Sequence, residues 1–176
     1  RGVYQKVGFI YRKDQVTVHS AHVILDSDSY ALTRAPLQAD LTITSNGRPY
    51  NLKLLVVHLK AGSTGEDADR RRAGCVLMKT YLDQQAAIDP EANFMIAGDW
   101  NDILNDPISD SSFPVFLNDS SDYKFLNLSM VGRNDLASHA SNRMIDHLMI
   151  NKAACPEFST GRVTTLRLDL LVSGYS

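Results

Sequence analysis

Phe94-Met95-Ile96-Ala97-Gly98-Asp99-Trp100-Asn101-Asp102 decides how the rest of the chain is read. Four apolar residues run straight into Gly-Asp-x-Asn. The run is short and a glycine then breaks it, which favours a strand buried on both faces over a helix. A buried strand is a rigid mount, so the carboxylates and the carboxamide at its tip can be held in one geometry. Two further stretches have the same form. Leu54-Leu55-Val56-Val57-His58-Leu59-Lys60 is an apolar run ending in His and Lys, and Met144-Ile145-Asp146-His147-Leu148-Met149-Ile150 is an apolar strand interrupted by Asp-His. The three strands are expected to bring their polar residues to one end of a shared core.

Working outward, residues 39–44 read as a strand, Ser45-Asn46-Gly47-Arg48-Pro49 as a tight turn, and residues 52–59 as the returning strand of an antiparallel hairpin. An earlier hairpin is expected from residues 7–11 and 16–18, turning at 12–15, with a loop over 22–30. Residues 61–65 form a Gly/Ser/Thr loop. Glu66, Asp67 and Asp69 then put negative charge where a helix N-terminus favours it. The helix is expected over residues 70–87, with Ala73, Val76, Leu77, Thr80 and Tyr81 on its apolar face and Gly74 marking close packing. Beyond residue 102 the chain is loop-rich, with a short helix near 113–118, strands at 125–128 and 145–150, and one or two short strands within 163–172. Strands with few helices and intervening hairpins predict a mixed α/β fold with a largely antiparallel sheet.

The length of 176 residues suggests one domain, and 44% hydrophobic and 22% charged residues are ordinary for a globular chain. Such a chain can bury a core without staples. A net charge of −2 gives no basic excess of the kind that advertises nucleic acid, although the local potential at a cleft is what an anionic ligand meets. Cys75 and Cys155 are too few for a disulfide scaffold and lack metal-ligand spacing. Cys75 reads as a small buried hydrophobe, and a single disulfide between the two stays open. No apolar stretch is long enough to span a bilayer.

Several residues carry candidate chemistry. His58 at a strand end is either functional or structural. Lys60, two residues on, is expected on the same side, and an imidazole with an ammonium suits a phosphate oxygen. In Gly-Asp-x-Asn the glycine lets the backbone turn sharply, and Asp99 and Asn101 project together. A carboxylate can hold Mg²⁺ or accept a proton, and an amide can steady a phosphoryl oxygen. A simple Asx-rich turn is the alternative. Asp146 inside an apolar strand is costly unless paired, so a cationic or imidazole partner is expected. His147 faces the opposite way and reads as structural or edge-facing. His139 and Arg143 either reach an anion or are solvated. Arg70-Arg71-Arg72 reads as a solvated charged face. Arg34, before Ala35-Pro36, sits where a loop enters a strand.

In series, Arg34-Ala35-Pro36, Val57-His58-Leu59-Lys60-Ala61, Gly98-Asp99-Trp100-Asn101-Asp102 and Met144-Ile145-Asp146-His147 resemble the endonuclease/exonuclease/phosphatase superfamily. The resemblance implies a four-layer α/β/β/α sandwich and hydrolysis of phosphate esters with Mg²⁺, or with Mn²⁺ or Ca²⁺. It implies that His58 contacts the scissile phosphate and protonates the leaving group. Asp99 would bind metal or orient the attacking water, with Asn101 beside it as a second metal-site residue that stabilises the phosphoryl group. Asp146 would hold a second histidine, the general base, and Arg34 would approach the substrate phosphate. A phosphodiester, nucleic acid among the options, is the implied substrate. A sphingomyelinase or inositol-phosphate phosphatase type of enzyme, or a non-catalytic binding module of the same fold, is the alternative. Family members carry an earlier Asn-bearing strand, a metal-binding Glu and a terminal Ser-Asp-His. This chain opens at Arg1 and reads Val172-Ser173-Gly174-Tyr175-Ser176 where the last motif is expected. Residues 1–176 therefore read as the C-terminal portion of such a domain, expected to be inactive alone and, with sheet surface uncovered, to self-associate, bind a partner or be unstable.

Overall fold

The computed structural model describes residues 6–104, 111–139 and 141–166. Six strands form one mixed sheet: β1 (Val16–Val23), β2 (Leu37–Ser45), β3 (Arg48–His58), β4 (Phe94–Asp99), β5 (Tyr123–Phe125) and β6 (Asp146–Asn151), in the order β1-β2-β3-β4-β6-β5. Among the described residues only β3 and β4 run parallel; the other pairings are antiparallel. A parallel pair needs a crossover, supplied here by α1 (Gly65–Ile88). The expected α/β class with a largely antiparallel sheet is what forms. Among the described residues there is one sheet, so the four-layer arrangement is not on view.

The tight turn is built as the sequence demands. Asn46 and Gly47 both take positive φ, 50° and 76°, which matches the twist of a two-residue hairpin and sets the β2–β3 register. The expected first hairpin does not form. Its turn is present, with Gln15 and Val16 N–H bonding to the Arg12 carbonyl. Residues 6–11, however, are not a strand, and Ile10 is fully exposed. β1 instead runs on to Val23 because its partner is β2, thirteen residues further along the chain. Residues 125–128 also differ. Strand β5 ends at Phe125, and Leu128–Met130 is a 3-10 turn. The short helix near 113–118 is α2 (Pro114–Leu117), and one further turn, α3 (Cys155–Phe158), follows β6. Residues 163–166 form no strand, and residues 167–176, which include the chain's last motif, lie outside the described residues.

The helix begins earlier than its charge pattern suggested, at a capping box. Thr64 Oγ1 accepts the Asp67 N–H at 3.2 Å, and Asp67 Oδ2 accepts the Thr64 N–H at 3.1 Å. Its buried stripe is Arg71, Gly74, Cys75, Met78 and Leu82, one residue round from the expected face, and Val76 is 47% exposed. Gly74 explains the rotation. A Cβ there would lie 3.1 Å from the Ala31 carbonyl oxygen and from Leu32, so the helix backbone itself presses on the loop before β2. The stripe packs on Leu55, Ile96 and Met149, adjacent in register across β3, β4 and β6. Both cysteines are free.

The opposite sheet face is aliphatic but only partly covered. Leu54, Val56, Met95, Ala97 and Leu148 are half-buried, whereas Phe94 and Ile96 on the helix side are almost inaccessible. The β4 run is therefore sealed on one face rather than on both. No helix among the described residues is long and apolar enough to cross a membrane.

Candidate functional site

Strand register builds the site. His58 pairs with Asp99 across the parallel β3–β4 ladder, and Asp99 pairs with Asp146 across β4–β6. Side chains directly opposite on neighbouring strands share a face, with Cβ atoms about 5 Å apart. An imidazole and two carboxylates thus stand in a row at the C-terminal ends of two parallel strands, where open α/β sheets place their ligands. His58 Nε2 lies 3.5 Å from Asp99 Oδ2, longer than a hydrogen bond. Burial, and then the charge of Arg34, push the His58 pKa below its usual 6.5, against the attraction of Asp99 and Asp146. That shift favours the neutral ring, which has one N–H to donate.

The turn after β4 completes the row. Gly98 has φ +140°, and a Cβ there would sit 2.1 Å from the Val57 carbonyl oxygen, so only glycine fits beside β3. Asn101 is left-handed at φ +53° and donates its N–H to Asp99 Oδ1 at 2.8 Å. The Asx turn weighed as the alternative is therefore present, and it is what aims Asp99. The Asn101 carboxamide donates to the Leu59 carbonyl at 3.1 Å, and Arg34 Nη1 lies on the same oxygen at 3.3 Å. Arg34, His58, Asp99, Asn101 and Asp146 are thus brought together by four segments of chain.

Lys60 is not. Its ammonium pairs with Asp67 at 2.7 Å and bonds the Ala61 carbonyl, which ties it to the start of α1. The strand alternation that would have put it beside His58 ends at His58. Asp146 also differs from expectation. It is the first residue of β6 and is exposed, not buried within the strand. Crowding by nearby protein and the Asp99 carboxylate still raise its pKa, against a Ser138 hydrogen bond and the nearby His139 and His58.

His147 is not edge-facing but a core residue, 1% exposed. The Asn127 carboxamide donates to its Nδ1 at 3.0 Å, so Nε2 carries the proton and donates to the Asp102 carbonyl at 2.8 Å. Burial lowers its pKa. It packs among the aromatics around Trp100, whose indole meets Phe113 and Phe125 edge-on at 5.4 Å. Arg71 overturns the solvated-face reading of the arginine run. It is 5% exposed and donates to Ser112 Oγ at 3.0 Å and to the carbonyls of Lys60 and Gly62 at 3.1 and 2.9 Å. Asp102 stands 3.5 Å away and accepts from Ser112.

Three positioning residues escaped the sequence reading. Asn127 holds the start of β6 through the Asp146 carbonyl and the Leu148 N–H. Ser138 Oγ accepts the N–H groups of Ile145 and Asp146, each at 3.1 Å. Arg71 fixes the backbone that leaves β3. Asn127 alone left a trace, as an amide between two leucines.

No family profile matches the chain, and no curated protein matches it in sequence. Solved structures do match. The human Nocturnin catalytic domain aligns with a TM-score of 0.50 at 13% identity, over 80% of this chain and 50% of its own. An endonuclease/exonuclease/phosphatase family protein from Bacteroides thetaiotaomicron aligns with a TM-score of 0.52 at 13% identity, over 80% and 53%. A mannosyl-6-phosphatase from the same organism aligns with a TM-score of 0.52 at 14% identity, over 80% and 55%. At these identities the fold is what is shared. The fold resemblance drawn from the four motifs holds, and the chain spans about half the length of the structures it matches.

Proposed function

We propose that this chain carries part of the active site of a divalent-metal-dependent phosphoesterase, cleaving phosphodiesters by one-step in-line attack of water. The row of His58, Asp99 and Asp146, with Arg34 and Asn101 on one carbonyl, is the observation that supports it. Hard cations take oxygen ligands, and Asp99 and Asn101 are the groups to hold Mg²⁺, with Mn²⁺ or Ca²⁺ as substitutes. Among the described residues no cluster of three or more His, Cys, Asp or Glu is arranged around an ion. Mg²⁺ keeps several waters and uses one or two carboxylates plus substrate phosphate. When bound, the ion polarises the phosphoryl oxygen as a Lewis acid.

The chain's own residues do the rest. Neutral His58 donates its N–H to the scissile phosphate and the leaving oxygen. Arg34 adds positive charge on the same side. The Asn101 carboxamide steadies the phosphoryl group as charge builds. Asp146 would orient a second imidazole, the general base; all five histidines of this chain lie among the described residues, so that imidazole would come from a longer form. Within this reading the isolated chain is slow or inactive, because groups acting as a unit lose orders of magnitude when one is missing. A panel of DNA, RNA, sphingomyelin, phosphoinositides and a chromogenic diester tests it, on the 176-residue chain and on any longer form, each with EDTA. EDTA-sensitive turnover confined to the longer form is expected. Turnover indifferent to EDTA would remove the metal. Ligand binding without hydrolysis in every form would favour the binding-module alternative.

The half-covered aliphatic face opposite α1 supports a companion reading, that the isolated chain self-associates. Sedimentation velocity is expected to show mass rising with concentration, and a monomer at every concentration would refute it.

A further inference from the structure

A concavity of about 450 Å³ lies at the other end of the sheet from the row. Asp40, Asn51 and Lys53 line it from the sheet, and Asp89, Glu91 and Asn93 line it from the connection between α1 and β4. Lys53 pairs with Phe94 where the β3–β4 ladder starts, and His58 pairs with Asp99 where it ends, so about 16 Å of strand separates the two places. A β-bulge shapes the remaining side. The β1–β2 register steps from Val18 opposite Leu41 to Ser20 opposite Asp40, which leaves His19 over. A bulge re-aims side chains. His19 and Ser20, consecutive in the chain, both reach the α1 side of β2. His19 Nε2 lies 2.8 Å from Thr42 Oγ1, and Ser20 Oγ donates to Asp40 at 3.0 Å. Gln38, two residues before Asp40, accepts from the Tyr81 hydroxyl of α1 at 2.6 Å, which identifies that side.

The lining is fixed and chemically mixed. Gln38 and Lys53 donate to Asp40 at 3.1 and 3.2 Å, so that carboxylate and that ammonium offset each other. Asn93 donates to the Asn51 carbonyl at 3.1 Å, and Asp89 Oδ1 accepts the Glu91 N–H at 3.1 Å. Thr42 gives its own proton to Asn51 Oδ1 at 2.8 Å, so His19 Nε2 is the donor to Thr42 and, in the neutral ring, Nδ1 keeps its lone pair. A ligand therefore meets acceptors on Glu91, Asp89, Asn93 and His19, and donors on Asn51 and Lys53. An anion is repelled by Asp89 and Glu91. A cation finds those carboxylates but leaves the Lys53 ammonium and the Asn51 amide without an acceptor. An apolar ligand strands both kinds of group. A neutral polyol satisfies both, because every hydroxyl donates as well as accepts. Leu41, Leu52 and Ala92, also in the lining, offer apolar contact to its C–H faces. Pockets of roughly 300–1,000 Å³ hold a whole small molecule, and this volume lies in that range. We propose that the cavity is a binding site for a neutral ring polyol, a mono- or disaccharide or a cyclitol, separate from the phosphoester site. It goes beyond the phosphoesterase reading and does not depend on it.

Maltose and myo-inositol are the probes, titrated into the ¹⁵N-labelled 176-residue chain and read at the side-chain amides. The Asn51 and Asn93 amides are expected to shift saturably, while those of Asn101 and Asn127, beside the row, stay still. A response to maltose alone identifies a saccharide site, one to myo-inositol alone a cyclitol site, and one to both a site for ring polyols in general. No saturable shift with either probe overturns the proposal, and so does a stronger response to the diamine putrescine, which would make the cavity a cation site. Glu91 is exposed, so Glu91→Ala removes a charged acceptor without disturbing the core. It is expected to weaken binding of the responding polyol about tenfold with the melting temperature unmoved. Binding within about twofold of the parent chain would overturn the assignment. Asp99→Asn should leave polyol binding unchanged, and a loss there would place the ligand at the row and refute a separate site.

Discussion

Asp99→Asn is expected to lower phosphoester turnover by about a thousandfold or more, in a form of the protein that turns over at all. The substitution is chosen for what it keeps. Asp99 Oδ1 accepts the Asn101 N–H at 2.8 Å, and an amide oxygen can accept it too, so the left-handed turn at Asn101 survives. What is lost is the negative charge in the middle of the row, which faces His58 on one side and Asp146 on the other. The expected signature is a fall in kcat with the melting temperature almost unmoved. The pKa of Asp146 should drop as well, because one of the causes holding it up is the Asp99 carboxylate. Titration followed by carboxyl NMR reads that shift without any substrate. Turnover retained within about tenfold would take Asp99 out of the mechanism.

Arg71→Met is expected to be the most damaging change to stability, at about 3–5 kcal/mol, because it leaves a buried carboxylate without its cation. Domains are typically stable by only about 5–15 kcal/mol, so much of the folded population is at stake. Arg71 and Asp102 are both nearly inaccessible, and Ser112 bridges them. Chemical denaturation of Arg71→Met, Asp102→Leu and the double variant measures the coupling. The double variant should recover part of the loss, since an apolar pair no longer strands a charge. A cost below about 1 kcal/mol for Arg71→Met would show the network to be incidental. Function is tied in, because Arg71 holds the Lys60 and Gly62 carbonyls, just past the strand end that carries His58.

The two kinds of residue differed in how well the sequence exposed them. His58 and Asp99 each follow an apolar run and Asp146 interrupts one, so run length located them, although Asp146 proves to begin β6 rather than lie within it. Asn46-Gly47 announced its turn for a similar local reason. The misreadings all concern partners. Residues 7–11 carry strand-like composition, but a strand exists only where a neighbour offers a ladder, and β1 found β2 instead. The face of α1 was misjudged because Gly74 presses on Ala31 and Leu32 from a distant loop, which no helical period reveals. Lys60 was assigned by alternation, but the strand stops at His58 and Asp67 claims the ammonium.

By itself the sequence determined the central strands that carry the site, the long helix, the hairpin turn and the polar tips of the strands. Those properties are set by side chains a few positions apart, through steric preference and hydrophobic period. Tertiary structure alone decided that β3, β4 and β6 lie side by side, so that His58, Asp99 and Asp146 form one row. It also decided that one arginine of three is buried, and that a bulge turns His19 and Ser20 to the same side of the sheet. Register between distant strands, and desolvation of a charge, depend on which surfaces meet, and no local pattern encodes that.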